Sequence, residues 1–225
     1  MKWDLLIPLL FILFIGIPHG ASDILIARRR FKNSWLKISF FIIGYVFVAI
    51  IFTATWFLYP TLCLALFLFI SGLHFGLLDT IKMPTSSLKL IQAFIYGLTP
   101  IIIPIVFHTR EVNEIFKLLL FDDNNEIALQ IKHFFLVWLL GLIVFFVKYP
   151  ESSQRQVLEI IALASLLVTT PPLWGFAFYF CFVHSTRHVI DSYYSRDNIF
   201  KKYHLLTLTF TMALISLIIS FVFKF

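Results

Sequence analysis

Residues 60–79, PTLCLALFLFISGLHFGLLD, establish the fold class of this chain. A helix needs about 20 predominantly apolar residues to cross the hydrocarbon core of a bilayer, and this stretch has no charged side chain before Asp79. Its interior nevertheless contains His74. An ionisable side chain inside a membrane is energetically unfavourable, so His74 is a candidate functional residue.

The rest of the chain has the same apolar character. Of its 225 residues, 60% are hydrophobic and 13% are charged, whereas about a quarter of a soluble domain is charged. The apolar runs are continuous rather than alternating, which favours spanning helices over a β-barrel. We therefore predict an all-α polytopic integral membrane helical bundle that forms a single domain over residues 1–225. We expect eight spans, at residues 4–26, 35–58, 60–79, 88–107, 133–147, 157–170, 172–190 and 203–223. The fifth and sixth are short, so a count of seven is also compatible with the sequence.

Charged residues between the spans orient them in the membrane. The basic connections contain Arg28, Lys82 and Lys148, whereas the connection after the fourth span is acidic and contains Glu111 and Asp122. Basic loops stay on the cytoplasmic side of a plasma membrane, so eight spans place both termini outside. This topology explains the net charge of +6 without a nucleic-acid partner.

The longest connection, residues 108–132, is compatible with two structures. Its apolar residues recur at near-helical spacing, namely Val112, Ile115, Phe116, Leu119 and Leu120. This spacing is typical of an interfacial amphipathic helix. The remaining residues are mainly polar, which is equally typical of a loop.

Four histidines fall at a similar depth in the predicted spans. His19, His74 and His188 each lie eight or nine residues before a basic residue that follows the same span. At about 1.5 Å per residue, each imidazole lies about 12–14 Å from that basic residue along the helix. His184 lies one turn deeper than His188 on the same helix face. Spans one, three and seven run in the same direction, so we predict that the four histidines share one metal ion.

Small residues and carboxylates accompany these histidines. Glycine pairs four residues apart surround two of them: Gly16 and Gly20 around His19, and Gly72 and Gly76 around His74. Glycines at this spacing let membrane helices approach closely, as short imidazole ligands require. Three carboxylates are candidate acceptors for the second nitrogen of a ligating imidazole, namely Asp23, Asp79 and Asp191. Asp79 is five residues from His74, so it would serve another helix, cap its own helix or face water.

The donor set limits the choice of metal. Four neutral nitrogens without a thiolate suit iron, copper or zinc. Two histidines four residues apart on one helix cannot sandwich a haem, and a di-iron desaturase needs more histidine boxes than this chain offers. The His-Glu-x-x-His motif of zinc proteases does not occur in the sequence. A single non-haem iron fits these residues best.

Three segments carry a family resemblance: Gly16-Ile-Pro-His19-Gly-Ala-Ser-Asp23, Ser71-Gly-Leu-His74-Phe-Gly-Leu-Leu-Asp79 and His184-Ser-Thr-Arg-His188. In this order they resemble the Brp/Blh (bacteriorhodopsin-related-protein-like) membrane β-carotene 15,15′-dioxygenase family. The resemblance implies a single Fe(2+) held by His19, His74, His184 and His188. It also implies that O2 cleaves β-carotene at its central double bond into two molecules of all-trans-retinal, a product that a rhodopsin can use.

Two other functions are compatible with the same residues. A membrane transporter or assembly factor would bind a metal or retinal without turnover. A metal-dependent hydrolase inside the membrane would work without O2. Replacement of His184 by alanine separates a ligand from a structural residue, because loss of a ligand abolishes activity while insertion is preserved.

Overall fold

The computed structural model describes residues 2–16, 27–28, 30–32, 34–80, 89–148 and 150–194. The prediction of an all-α fold is confirmed, because this part of the chain consists of helices and short connections without a strand. The helices are α1 (Lys2–Phe11), α2 (Trp35–Leu58), α3 (Pro60–Asp79), α4 (Lys89–Phe107), α5 (Thr109–Leu120), α6 (Ile127–Ile131), α7 (Phe134–Lys148), α8 (Pro150–Thr169), α9 (Pro172–Phe178) and α10 (Ser185–Tyr194). The segments Ile12–Gly16 and Tyr179–His184 are π-helical.

Among the described residues, four helices are long and apolar enough to cross a membrane. They are α2, α3, α4 and the stretch Ile127–Lys148, which contains α6 and α7. Both α2 and α3 begin and end at the residues predicted from the sequence. The predicted sixth span is helical but begins earlier, at Pro150, so its first half contains charged residues such as Arg155 and Glu159. The eighth predicted span lies outside the described residues, and the number of spans stays a prediction.

The chain divides into two compact units, residues 1–57 with 180–225 and residues 58–179. In the first unit, α2 exposes most of its apolar side chains, including Phe40, Ile43 and Phe47. A lipid bilayer solvates such side chains as well as a protein core does, so this surface suits contact with acyl chains.

Helix α4 forms the centre of the second unit. It packs against α3, α7 and α8, and most of its residues are buried. Its Ile95 and Ile103 belong to one hydrophobic cluster with Trp138 of α7 and Leu167 of α8. Close packing of large apolar side chains around one helix therefore holds the second unit together.

Polar side chains within this apolar core are hydrogen-bonded. The Trp138 indole N–H donates to the Ile95 carbonyl at 3.0 Å. The Gln92 amide donates to the side-chain oxygen of Gln156 at 2.9 Å, and the Tyr96 hydroxyl donates to the Gln156 carbonyl at 3.1 Å. A membrane core supplies no water to replace such bonds, so they fix how α4 packs against α7 and α8.

The connection of residues 108–132, for which the sequence is compatible with an amphipathic helix or a loop, contains helix α5. The helix prediction is confirmed for Thr109–Leu120, and a left-handed residue, Phe121 with φ 54°, ends the helix. Val112, Phe116 and Leu120 are buried. The apolar face of α5 therefore packs on its own unit, where the helix contacts α3 and α4.

Candidate functional site

His184 and His188 are buried one helical turn apart. His184 is the last residue of the π-helical segment and His188 lies on α10. Their exposed fractions are 0% and 8%. Residues four apart on a helix share a face, so both imidazoles project from the same side. Imidazole nitrogens suit iron, copper and zinc, so the two histidines are a candidate donor pair for a metal site.

Hydroxyl side chains between the two histidines stabilise the π-helical turn. The Ser185 hydroxyl donates to the Phe180 carbonyl at 2.7 Å, and the Thr186 hydroxyl donates to the Cys181 carbonyl at 3.4 Å. Each of these bonds reaches five residues back, which matches the wider turn of a π-helix. The Phe180 ring also stacks on the His184 imidazole, with centroids 5.9 Å apart and planes 11° apart. These contacts restrict the orientation of His184.

Gly16 allows the N-terminal helix to approach the same turn closely. Gly16 is buried, and a methyl group in place of its hydrogen would overlap the Phe180 ring. One turn earlier, the Phe11 carbonyl accepts a hydrogen bond from the Cys181 thiol at 3.2 Å. The small side chains of Cys181 and Ser185 are both buried. His19 and Asp23, which follow Gly16 in the sequence, lie outside the described residues.

The glycine pair around His74 lies at the contact between α3 and α4. A methyl group on Gly76 would overlap the Ala93 carbonyl, and one on Gly97 would overlap the Gly72 carbonyl. The pair thus packs α3 against α4, which carries no candidate ligand. His74 is two residues from each glycine, so it faces away from α4 and is exposed. The prediction that these glycines allow close helix contact is confirmed, and the contact is between α3 and α4.

Asp79 is hydrogen-bonded to a residue that the sequence analysis did not single out. The Tyr179 hydroxyl donates to the Asp79 carboxylate at 2.8 Å, and both side chains are buried, with exposed fractions of 1% and 7%. Asp79 is therefore buried and bonded to a residue outside its own helix, and its role beside a ligating imidazole stays a prediction. A tyrosine and a carboxylate inside apolar spans both need polar partners, which is the signal that would have suggested this pair.

An aromatic cluster connects this pair to His74. The Phe75 ring lies 5.5 Å from the Tyr179 ring and 6.0 Å from the His74 imidazole, measured between centroids. No group of three or more His, Cys, Asp or Glu side chains within the described ranges is close enough to hold a metal ion. The four-histidine set includes His19, and the side chain of Asp191 is also outside the described part of the structure, so the metal site stays a prediction.

Comparison with known proteins identifies the family. Residues 10–225 match the family model described as Beta-carotene 15,15'-dioxygenase. The chain belongs to this family. The Beta-carotene 15,15'-dioxygenase of an uncultured marine bacterium, 66A03, is 31% identical over 181 residues. That alignment covers 79% of this chain and 65% of the relative, which is just under two thirds of the relative's length. No solved structure gives a significant match.

Proposed function

We propose that this chain is an oxidoreductase, a non-haem iron(II)-dependent dioxygenase that cleaves β-carotene at its 15,15′ double bond with O2 to give two molecules of all-trans-retinal. The observation that supports this most is the family match over residues 10–225, because that range contains all four candidate ligands. The chain acts as a single membrane domain over residues 1–225.

The donor chemistry of the described histidines fits Fe(2+). His184 and His188 are buried, neutral-nitrogen donors on one helix face. We propose that they hold the iron together with His19 and His74. Four neutral ligands leave the ion its full charge, and iron(II) bound in this way would supply the one-electron and O2 chemistry that carbon–carbon cleavage needs.

The chain's own residues orient the donors and exclude water. Phe180 and Ser185 restrict the His184 imidazole, and the bond between Tyr179 and Asp79 fixes the end of α3 five residues beyond His74. β-Carotene is an apolar rod comparable in length to the ~30 Å hydrocarbon core, so it partitions into lipid and reaches the site from the side. An apolar environment then keeps water away from reactive oxygen species.

We place the protein in the plasma membrane as a multi-pass protein. The basic connections after spans one, three and seven put the metal site toward the cytoplasmic side. The retinal product stays in the lipid bilayer, from which a rhodopsin can take it up.

Expression in cells that produce β-carotene tests this function. We expect the orange colour to fade and retinal to accumulate. His184→Ala should abolish cleavage while the amount of membrane-inserted protein stays the same. His133→Ala is the matched control, because His133 is exposed at the start of α7 and is not a proposed ligand.

Unchanged pigment, with the protein confirmed in the membrane, would contradict the proposal. Retinal or metal binding without any turnover would favour a transporter or assembly factor instead.

A further inference from the structure

An apolar cavity lies within the second unit, beside the helix that carries His74. Its volume is about 160 Å³, and it is bounded by α3, α4, α5 and α9. Ser71 contributes the one hydroxyl side chain among the residues that line it. Apolar cavities of about 150 Å³ remain dry and accept a benzene-sized ligand. This cavity therefore has the size and the chemistry for a single hydrocarbon ring.

The cavity reaches the immediate neighbourhood of His74. On α3 its lining includes Ser71 and Phe75, which are three residues before and one residue after His74. The Phe75 ring forms part of the wall, and its centroid is 6.0 Å from that of the His74 imidazole. One end of the cavity thus lies beside a proposed metal ligand.

The distance from His74 to the other end of the cavity matches half the length of a carotenoid. Its lining on α3 begins at Leu64, ten residues before His74. Ten residues of α-helix rise about 15 Å. A rod as long as the ~30 Å hydrocarbon core has its midpoint about 15 Å from either end. A ring held near Leu64 therefore places the central double bond at the level of His74.

We propose that this cavity binds one cyclic end group of β-carotene and so selects the central double bond for cleavage. The inference rests on the proposed function and deepens it, because it names the residues that set the distance between the bound ring and the metal. A ring seated in the cavity keeps the bonds nearer that ring away from the level of His74. Pro100 and Pro104, which face the cavity from α4, have fixed φ angles and make this wall stiff.

Filling the cavity from two sides tests the proposal. Ile115 on α5 and Leu173 on α9 both line the cavity and are only partly buried, so Ile115→Trp and Leu173→Trp add volume there. If one of the two variants fails to fold, the other carries the test. Leu118→Trp is the matched control, because Leu118 is on α5, is 69% exposed and does not line the cavity.

The measurement is β-carotene binding to the detergent-purified protein under argon, followed by cleavage in air. We expect the two filled variants to bind β-carotene about tenfold more weakly, because a small excess of volume in an apolar pocket has effects of about 10-fold or more. Leu118→Trp should bind within about twofold of the parental chain, since surface changes away from a site have small effects. The ratio of central to off-centre products should fall in the filled variants.

Two outcomes would overturn the cavity proposal. One is unchanged β-carotene binding and unchanged products in both filled variants. The other is loss of co-purified phospholipid without any change in β-carotene binding, which would make the occupant a lipid acyl chain. Failure of the proposed function gives a different result, because a parental chain that binds β-carotene under argon but never cleaves it in air would contradict the activity alone.

Discussion

Among single residues, the hydrogen bond between Tyr179 and Asp79 has the clearest consequence. The two side chains are 100 positions apart in the sequence and both are buried. In an apolar region without water, removal of either side chain costs the other a hydrogen bond that solvent does not replace. The pair also contacts Phe75, which lies next to His74 and lines the proposed ring cavity.

Tyr179→Phe should therefore destabilise the protein by about 1–3 kcal/mol, because the Asp79 carboxylate loses a donor while the aromatic ring is retained. Thermal unfolding in detergent measures this as a lower midpoint. Tyr59→Phe is the matched control, since Tyr59 is 61% exposed. This variant should unfold at the same temperature as the parental chain. Equal midpoints for Tyr179→Phe and the parental chain would show that the bond contributes nothing to stability.

Among the helices, α3 has a packing face and a histidine-bearing face on opposite sides. Gly72 and Gly76 pack against the backbone of α4, while His74 faces away from it. The sequence predicts that these glycines allow close contact, because small residues four apart do so in membranes. It does not reveal the partner, because the complementary small residues on α4, Ala93 and Gly97, have the same spacing but lie far from any candidate ligand in the sequence. Only the fold brings Gly97 to this face.

Gly76→Ala should weaken the contact between α3 and α4 by about 1–3 kcal/mol or more, because the added methyl group meets the backbone of Ala93, which cannot rotate away. Gly44→Ala is the control, since nothing lies within 4 Å of the position that its methyl group would occupy. The yield of folded protein after detergent extraction and its unfolding temperature report the difference. Equal behaviour of the two variants would refute the close approach of these helices.

In the whole molecule, the membrane environment explains what the sequence could and could not predict. Continuous apolar runs bounded by a polar residue or proline predict both ends of α2 and α3 correctly. Lipid favours uninterrupted helices, because every backbone polar group then has a partner within the same segment. The helix at the sixth predicted span begins before that span, because a charged residue such as Arg155 is compatible with a helix even where it argues against a span. The pair of Tyr179 and Asp79 was missed because periodicity reports a helix face and not its distant partner.

The proposed site needs ligands from three separate spans, so the amount of iron bound tests the account most directly. Purified parental protein, reconstituted with iron(II) under argon, should bind one iron per chain. Each single alanine variant of a proposed ligand should lose most of that iron, namely His19→Ala, His74→Ala, His184→Ala and His188→Ala. His133→Ala should retain it. A chain that cleaves β-carotene without iron, or single histidine variants that keep the full amount, would contradict the four-histidine iron site.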